Sequence, residues 1–172
     1  KNKKKYKNSY LFISQFRENK SNYILANNGK YIPYNKFMQS DKFGFETFLN
    51  YCEERNKKLY VLFSSRNKFK IEKEKFFFSY KKSKNLFFLK SSKKLFGYKT
   101  TQLFDKIFFV NSTLGFECLA RGKKCFFLNI RNKFLGSEYT NLPLPKNGPN
   151  WTDSFNKKVI FNKIDEFMKK EN

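Results

Sequence analysis

The chain has 172 residues, of which 40% are hydrophobic and 24 are Phe, so it can bury the core of one domain over residues 1–172. Its formal net charge of +23 would suit nucleic acid, because clustered cations gain affinity for phosphates by releasing counterions. However, the cations are mostly Lys and occur with many Asn, Phe and Tyr, as an A/T-rich coding sequence gives at unconstrained surface positions. We therefore expect no nucleic-acid site, and a peripheral contact between a basic face and an anionic membrane stays open.

Cysteine and histidine usage excludes several kinds of site. The chain has no His, and Cys52, Cys118 and Cys125 lack CxxC spacing and lie in apolar segments. We therefore expect no disulfide framework and no metal site, and a reduced, cytoplasmic location, with any membrane contact at the inner face. The longest apolar runs, such as Leu59–Phe63, are far shorter than the roughly 18 residues that a membrane-spanning helix needs.

Apolar bursts separated by helical spacing indicate the fold class. The predicted strands are, in chain order, Tyr10–Phe16, Lys58–Phe63, Leu86–Leu89, Ile107–Val110 and Lys124–Leu128. The predicted helices are one around Phe45, Phe48, Leu49 and Cys52 that starts at Ser40 or Asp41, and others over Ile71–Tyr80, Gly97–Phe104, Thr113–Arg121 and Val159–Met168. Strands that are apolar on both faces and alternate with helices predict an α/β, Rossmann-like parallel sheet with helices on both faces. The connection Arg17–Ser40 is either a binding loop or an ordered surface loop without function.

Arginines follow several of the predicted strands, at the sheet edge where ligands bind in open parallel sheets. Three of the five arginines, Arg17, Arg66 and Arg131, stand just after a strand, although nearly all other cations are Lys. Arg in these places predicts planar, bidentate recognition of phosphate or carboxylate. The alternative is that these arginines pair with local carboxylates or cap sheet edges.

The elbow Asn111-Ser112-Thr113 joins a predicted strand to a predicted helix. The N-terminus of a helix presents unpaired N–H groups and the positive end of the helix dipole, which together can bind an anion. The alternative function of Ser112 and Thr113 is capping alone. Gly115 would allow a ligand or a neighbouring strand to approach closely.

Glu117 lies too far from Ser112 and Thr113 for a capping box, which needs a spacing of three residues. It shares a helix face with Thr113. Two roles remain open from the spacing: an i, i+4 ion pair with Arg121, or acceptance of hydrogen bonds from ribose hydroxyls.

These motifs resemble a known group of proteins. The stretch NSTLGFECLARGKKCFFLNIR (111–131), with FLG (134–136) and LPLPKNGPNWTDSF (142–155), resembles the C-terminal portion of bacterial surface-carbohydrate (polysaccharide) biosynthesis proteins, and SQFR (14–17) and SSRNK (64–68) resemble the same group. That group is similar to two-domain glycosyltransferases of the GT-B type, and more distantly to glycerophosphotransferases and nucleotide-sugar 2-epimerases. One departure is Phe116-Glu117-Cys118, where such proteins commonly have Tyr-Glu-Ala.

The resemblance implies a nucleotide-sugar-binding C-terminal half of a GT-B-type glycosyltransferase. Ser112, Thr113 and the adjoining helix amides would hold the donor diphosphate and Glu117 the ribose, and the cleft would be bordered by Arg17, Arg66 and Arg131. The partner would be a nucleotide-diphosphate sugar as substrate, with no metal or other cofactor. An N-terminal domain that binds the acceptor would be missing, so we expect the isolated fragment to be inactive.

Three alternative functions stay open. Two are glycerophosphate transfer and hydrolytic 2-epimerisation, which would use the same diphosphate site. The third is a non-catalytic basic module that binds RNA or an anionic membrane. The aromatic residues favour core packing over base stacking, because most of them occupy strand and helix core positions.

Overall fold

The structure is a computed structural model that describes residues 6–16, 22–25, 29–63, 76–80, 82–89, 96–136 and 144–169. Its strands are β1 (Ser9–Ile13), β2 (Tyr23–Leu25), β3 (Tyr31–Pro33), β4 (Lys58–Leu62), β5 (Leu86–Phe88), β6 (Lys106–Phe109), β7 (Lys124–Leu128) and β8 (Trp151–Thr152). Its helices are α1 (Tyr34–Glu54), α2 (Phe96–Leu103), α3 (Thr113–Ala120), α4 (Arg131–Leu135) and α5 (Lys157–Lys169), with a 3-10 turn over Phe78–Tyr80.

Six of the strands form one parallel sheet in the order β5-β4-β1-β6-β7-β8. Numbered by their sequence within this sheet, the strands run 3-2-1-4-5-6, which is the doubly wound Rossmann order. The predicted α/β fold class is therefore confirmed.

The core has two layers because successive strand residues point to opposite faces of the sheet. On one face Phe12, Phe108 and Phe126 pack under α1 and α5, and Phe48 of α1 stacks on Phe108 with ring centroids 4.3 Å apart. On the other face Phe109 and the neighbouring strand residues pack under α2 and α3. Burial of these rings stabilises the fold, since each large apolar side chain contributes ~1.5–3 kcal/mol.

Helix α1 begins earlier than the sequence indicated. It starts at Tyr34 after an extended Pro33, whereas Ser40 and Asp41 lie buried inside the helix. Their side chains make contacts other than capping, since Ser40 Oγ donates to Phe37 O at 3.0 Å and Asp41 Oδ2 pairs with Arg131. The predicted start of this helix was therefore wrong, because tertiary pairing replaced capping.

Two parts of the sheet structure were not expected from the sequence. The connection Arg17–Ser40, for which no strand was predicted, contains β2 and β3, and these two strands form a separate antiparallel hairpin. β8 has only two residues, too few to show a periodic pattern. The helix predicted over Ile71–Tyr80 lies partly outside the described residues, and its described end forms the 3-10 turn.

All three cysteines are free and buried. Among the described residues, no helix is both long enough and apolar enough to cross a membrane.

Candidate functional site

The candidate site lies where the chain reverses its direction across the sheet. β1 is hydrogen-bonded to both β4 and β6; the chain proceeds from β1 to β4 and β5 on one side, and from β6 to β7 and β8 on the other. In doubly wound sheets, ligands bind at such a switch point, outside the carboxyl ends of the strands. The segments that leave this edge include Ser14 and Gln15 after β1, and Asn111, Ser112 and Thr113 after β6.

Ser112 caps α3. Its backbone is extended, with φ −128° and ψ 125°, and its Oγ accepts a hydrogen bond from the N–H of Gly115 at 3.3 Å. Ser112 is buried, whereas Thr113 is exposed. The N–H groups of Thr113 and Leu114 belong to the first turn, which has no acceptor within the helix, and this turn follows β6 at the carboxyl edge of the sheet.

Gly115 is required by packing inside the protein. A Cβ atom at this position would lie 2.5 to 2.7 Å from three ring carbons of Phe109. Phe109 is fully buried and stacks on Phe127 with centroids 5.2 Å apart, so it cannot move aside easily. Of the two reasons that the sequence left open for this glycine, the close approach of a neighbouring strand is the one that the structure shows.

Glu117 is positioned by residues on two helices. Its Oε2 lies 3.9 Å from Arg121 Nη2, so the i, i+4 pair expected from the spacing is present, at a long distance. Hydrogen bonding to Glu117 raises the pKa of Tyr98 on α2, and the Arg121 guanidinium lies 5.2 Å from the centre of the Tyr98 ring. Within the described residues, Glu117 Oε2 is buried and accepts no hydrogen bond. Because Oε2 is shielded from solvent while the side chain as a whole is 36% exposed, a ligand hydroxyl would have to bind the other carboxylate oxygen.

Arg131 is buried and bonded to protein groups. Its Nη2 lies 2.6 Å from Asp41 Oδ2 and 2.9 Å from Gln15 Oε1, and its guanidinium lies 4.5 Å from the centre of the Phe37 ring. This guanidinium ties the start of α4 to α1 and to the segment after β1. The pairing with a local carboxylate, which was the alternative explanation of this arginine, is thus present, and a contact between Arg131 and a ligand stays a prediction.

The other two predicted arginines, Arg17 and Arg66, lie outside the described residues. Their part in the site therefore stays a prediction from their positions after β1 and β4.

Sequence reasoning missed Asp41, Gln15 and Tyr98. For Asp41 a signal was present, because it falls among Phe37, Met38 and Phe45 on the apolar face of α1, and a buried carboxylate needs a cation. For Gln15 and Tyr98 no local pattern exists, because their partners lie far along the chain.

Comparisons with known proteins identify a family and a fold. A family model described as "putative O-antigen biosynthesis protein" matches residues 1–172. No curated protein matches the chain significantly. The crystal structure of Methanocaldococcus jannaschii UDP-GlcNAc 2-epimerase, in complex with UDP-GlcNAc and UDP, is similar with a TM-score of 0.56 and 13% identity. The match covers 96% of this chain and 40% of the epimerase chain.

At this identity the likeness to the epimerase shows the fold alone, which is a Rossmann-like domain of the kind found in GT-B-like proteins. The family model, by contrast, matches every residue of the sequence. The chain therefore belongs to the family described as O-antigen biosynthesis proteins.

Proposed function

We propose that the chain is the nucleotide-sugar-binding half of a glycosyltransferase that acts in the biosynthesis of O-antigen or a related surface polysaccharide. The observation that carries the proposal is the position of the α3 N-terminus at the switch point of the sheet, with Glu117 one turn further along the helix. The family supports the role in polysaccharide biosynthesis. The epimerase with UDP-GlcNAc and UDP supports a nucleotide sugar as the ligand class.

The donor diphosphate would bind the first turn of α3. The N–H groups of Thr113 and Leu114 and the exposed Thr113 hydroxyl would donate to phosphate oxygens. Ser112 Oγ accepts from Gly115, and its hydroxyl would donate to a phosphate oxygen as well. When the bond between sugar and diphosphate breaks, negative charge grows on the departing diphosphate, and these fixed dipoles would stabilise it without reorganising.

The ribose would bind Glu117. Residues four apart lie on the same side of a helix, so Glu117 follows Thr113 along the face that begins at the switch point. Its side chain is 36% exposed, and its carboxylate would accept a hydrogen bond from a ribose hydroxyl. Arg121 and Tyr98 would hold the carboxylate in position.

The arginines would border the same cleft with different tasks. Arg131 would fix the segment after β1 through Gln15, which has its Oε1 2.9 Å from the guanidinium. We keep Arg17 and Arg66 as groups that contact the donor phosphates, on the basis of their places after β1 and β4.

Calorimetric titration of the chain with UDP-GlcNAc, and with GDP- and CDP-linked sugars, tests the proposal. We expect saturable binding to one nucleotide class, and a loss of about tenfold or more in affinity in Glu117→Gln, which removes one charged acceptor of the ribose. The matched control is Glu166→Gln, because Glu166 is an exposed glutamate on α5. Equal affinity of Glu117→Gln and the unaltered chain, or no saturable binding to any of these compounds, would contradict the proposal.

The same titration with single-stranded RNA at low and high salt tests the basic-module alternative. RNA affinity that falls steeply with salt, together with no nucleotide-sugar binding, would favour that alternative, because counterion release dominates nonspecific binding.

A further inference from the structure

A concave pocket lies at the opposite edge of the sheet from the candidate donor site. It has a volume of about 370 Å³ and is lined by Lys7, Asn8, Asp105, Lys106, Gly122, Lys123 and Lys124. Lys106 and Lys124 are the first residues of β6 and β7. Because all strands of this sheet are parallel, the pocket is at their amino edge, whereas the α3 N-terminus is at the carboxyl edge.

Two lysines stand side by side in this pocket. Lys106 and Lys124 are direct partners in the register of β6 and β7, so their side chains leave the sheet on the same face. Like charges directly opposite each other on neighbouring strands destabilise a sheet. The two ammonium groups therefore repel each other, and an anion bound near them would reduce this repulsion.

Lys106 has no carboxylate partner within 4.0 Å in the described part of the chain. Its ammonium is half-buried and lies 5.4 Å from the centre of the Tyr10 ring. Burial lowers the pKa of Lys106, and the charges of Lys57 and Lys124 lower it further. A desolvated ammonium among like charges is costly, and a bound anion would compensate that cost.

The neighbouring Lys123 differs from Lys106, because it is bonded to carbonyl groups of the protein. Helices end at the amino edge of the sheet, and lysines there can donate hydrogen bonds to the last carbonyl groups of these helices. Lys123 Nζ does so, donating to Phe104 O at 2.9 Å and Gln102 O at 3.4 Å after α2, with Asp105 4.0 Å away. Lys106 makes no such bond in the described part of the chain.

We propose that this pocket binds a phosphate group, held by Lys106 with Lys7 and Lys124. A tetrahedral phosphate offers several acceptor oxygens to ammonium groups that converge from different elements, and Lys binds phosphate as a point charge. The side chain of Asp105 is 60% exposed at the rim and is paired with Lys123, so it does not close the pocket to anions. The site is separate from the donor site and does not depend on the proposed function.

Amide spectra of the isotope-labelled chain, recorded during titration with inorganic phosphate, test the proposal. We expect saturable shifts at the amides of Lys106, Gly122 and Lys124. In Lys106→Met these shifts should need about tenfold more phosphate, because one charge-assisted hydrogen bond is lost. Lys106→Arg should keep the shifts. The matched control is Lys158→Met, which removes the same charge from an exposed position on α5.

Stability measurements give a second readout. Without phosphate, Lys106→Met should melt roughly 2 °C or more above the unaltered chain, because a desolvated charge is removed. A lower melting temperature would contradict the claim that this charge is a cost in the empty pocket. Absence of saturable shifts at the pocket amides, or equal shifts in Lys106→Met and the unaltered chain, would overturn the proposal.

Sedimentation with vesicles identifies the source of the phosphate group. Binding to vesicles of phosphatidylcholine with phosphatidic acid, lost in Lys106→Met, would support the site with a lipid headgroup as ligand. Phosphate-dependent amide shifts in a chain that does not sediment with these vesicles would support the site with a soluble phosphate compound as ligand.

Discussion

The buried pair of Arg131 and Asp41 gives the sharpest test of how the site is held together. The two side chains are 4% and 3% exposed, and Nη2 lies 2.6 Å from Oδ2. Replacing Arg131 by Met leaves a buried carboxylate without its main cation, which costs ~3–5 kcal/mol of unfolding free energy. Replacing both residues, as in Arg131→Met with Asp41→Leu, removes both charges and should cost much less than the sum of the single changes.

Urea unfolding of the four proteins in this cycle, followed by circular dichroism, measures the coupling. We expect the double variant to lose less unfolding free energy than the two single variants lose together, by at least about 2 kcal/mol. Additive effects within ~0.5 kcal/mol, or a loss below ~1 kcal/mol in Arg131→Met, would refute the reasoning, because exposed pairs behave in that way.

The conservative change Arg131→Lys separates the structural role from the ligand role. The guanidinium bonds Asp41 and Gln15 through Nη2 and Ser40 through Nε. A single ammonium nitrogen cannot occupy both positions, so we expect lower stability with the fold retained. Weaker nucleotide-sugar binding in the same variant would support a place in the donor cleft. Unchanged affinity would remove Arg131 from that cleft.

Three further outcomes follow from the structure. Gly115→Ala should lower the unfolding free energy by ~1–2 kcal/mol, because overpacking against Phe109 exceeds the gain in helix propensity; unchanged stability in urea would contradict this. Burial alone would raise the pKa of Asp165, but hydrogen bonds from Arg55 and a tyrosine hold it below its usual value. The stability that these hydrogen bonds contribute is present above the unfolded pKa and is lost as the pH falls through the folded pKa. Asp165→Asn should therefore flatten the fall of stability below about pH 4, and an unchanged pH profile would exclude the effect. Burial raises the pKa of Cys125 to about 12, and all three cysteines are buried, so a thiol reagent at neutral pH should modify them only as fast as the chain unfolds; rapid modification of the native protein would show that they are accessible.

The sequence predicted the central strands well because their pattern is local. The run Lys124–Leu128 is β7 at the same bounds, and the predicted Gly97–Phe104 helix differs from α2 by one residue at each end. Continuous apolar runs of this length can be buried on both faces only in a covered parallel sheet. By contrast, β8 has two residues and gains its place from pairing with β7, which no local pattern encodes.

The candidate site could be predicted in part for the same reason. The elbow at Ser112 and Thr113 is readable because a cap, a helix and a strand lie next to one another in the sequence. The partner of Arg131 was not readable from nearby residues, since Asp41 lies 90 positions away. Gly115 had two explanations in the sequence, and only the packing of the Phe109 ring decided between them.

A crystal structure of the chain with UDP would test the central claim most directly. We expect diphosphate oxygens within about 3 Å of the N–H groups of Thr113 and Leu114, and a ribose hydroxyl at a similar distance from a carboxylate oxygen of Glu117. A diphosphate bound away from the α3 N-terminus, with Glu117 in contact with Arg121 and Tyr98 alone, would contradict it.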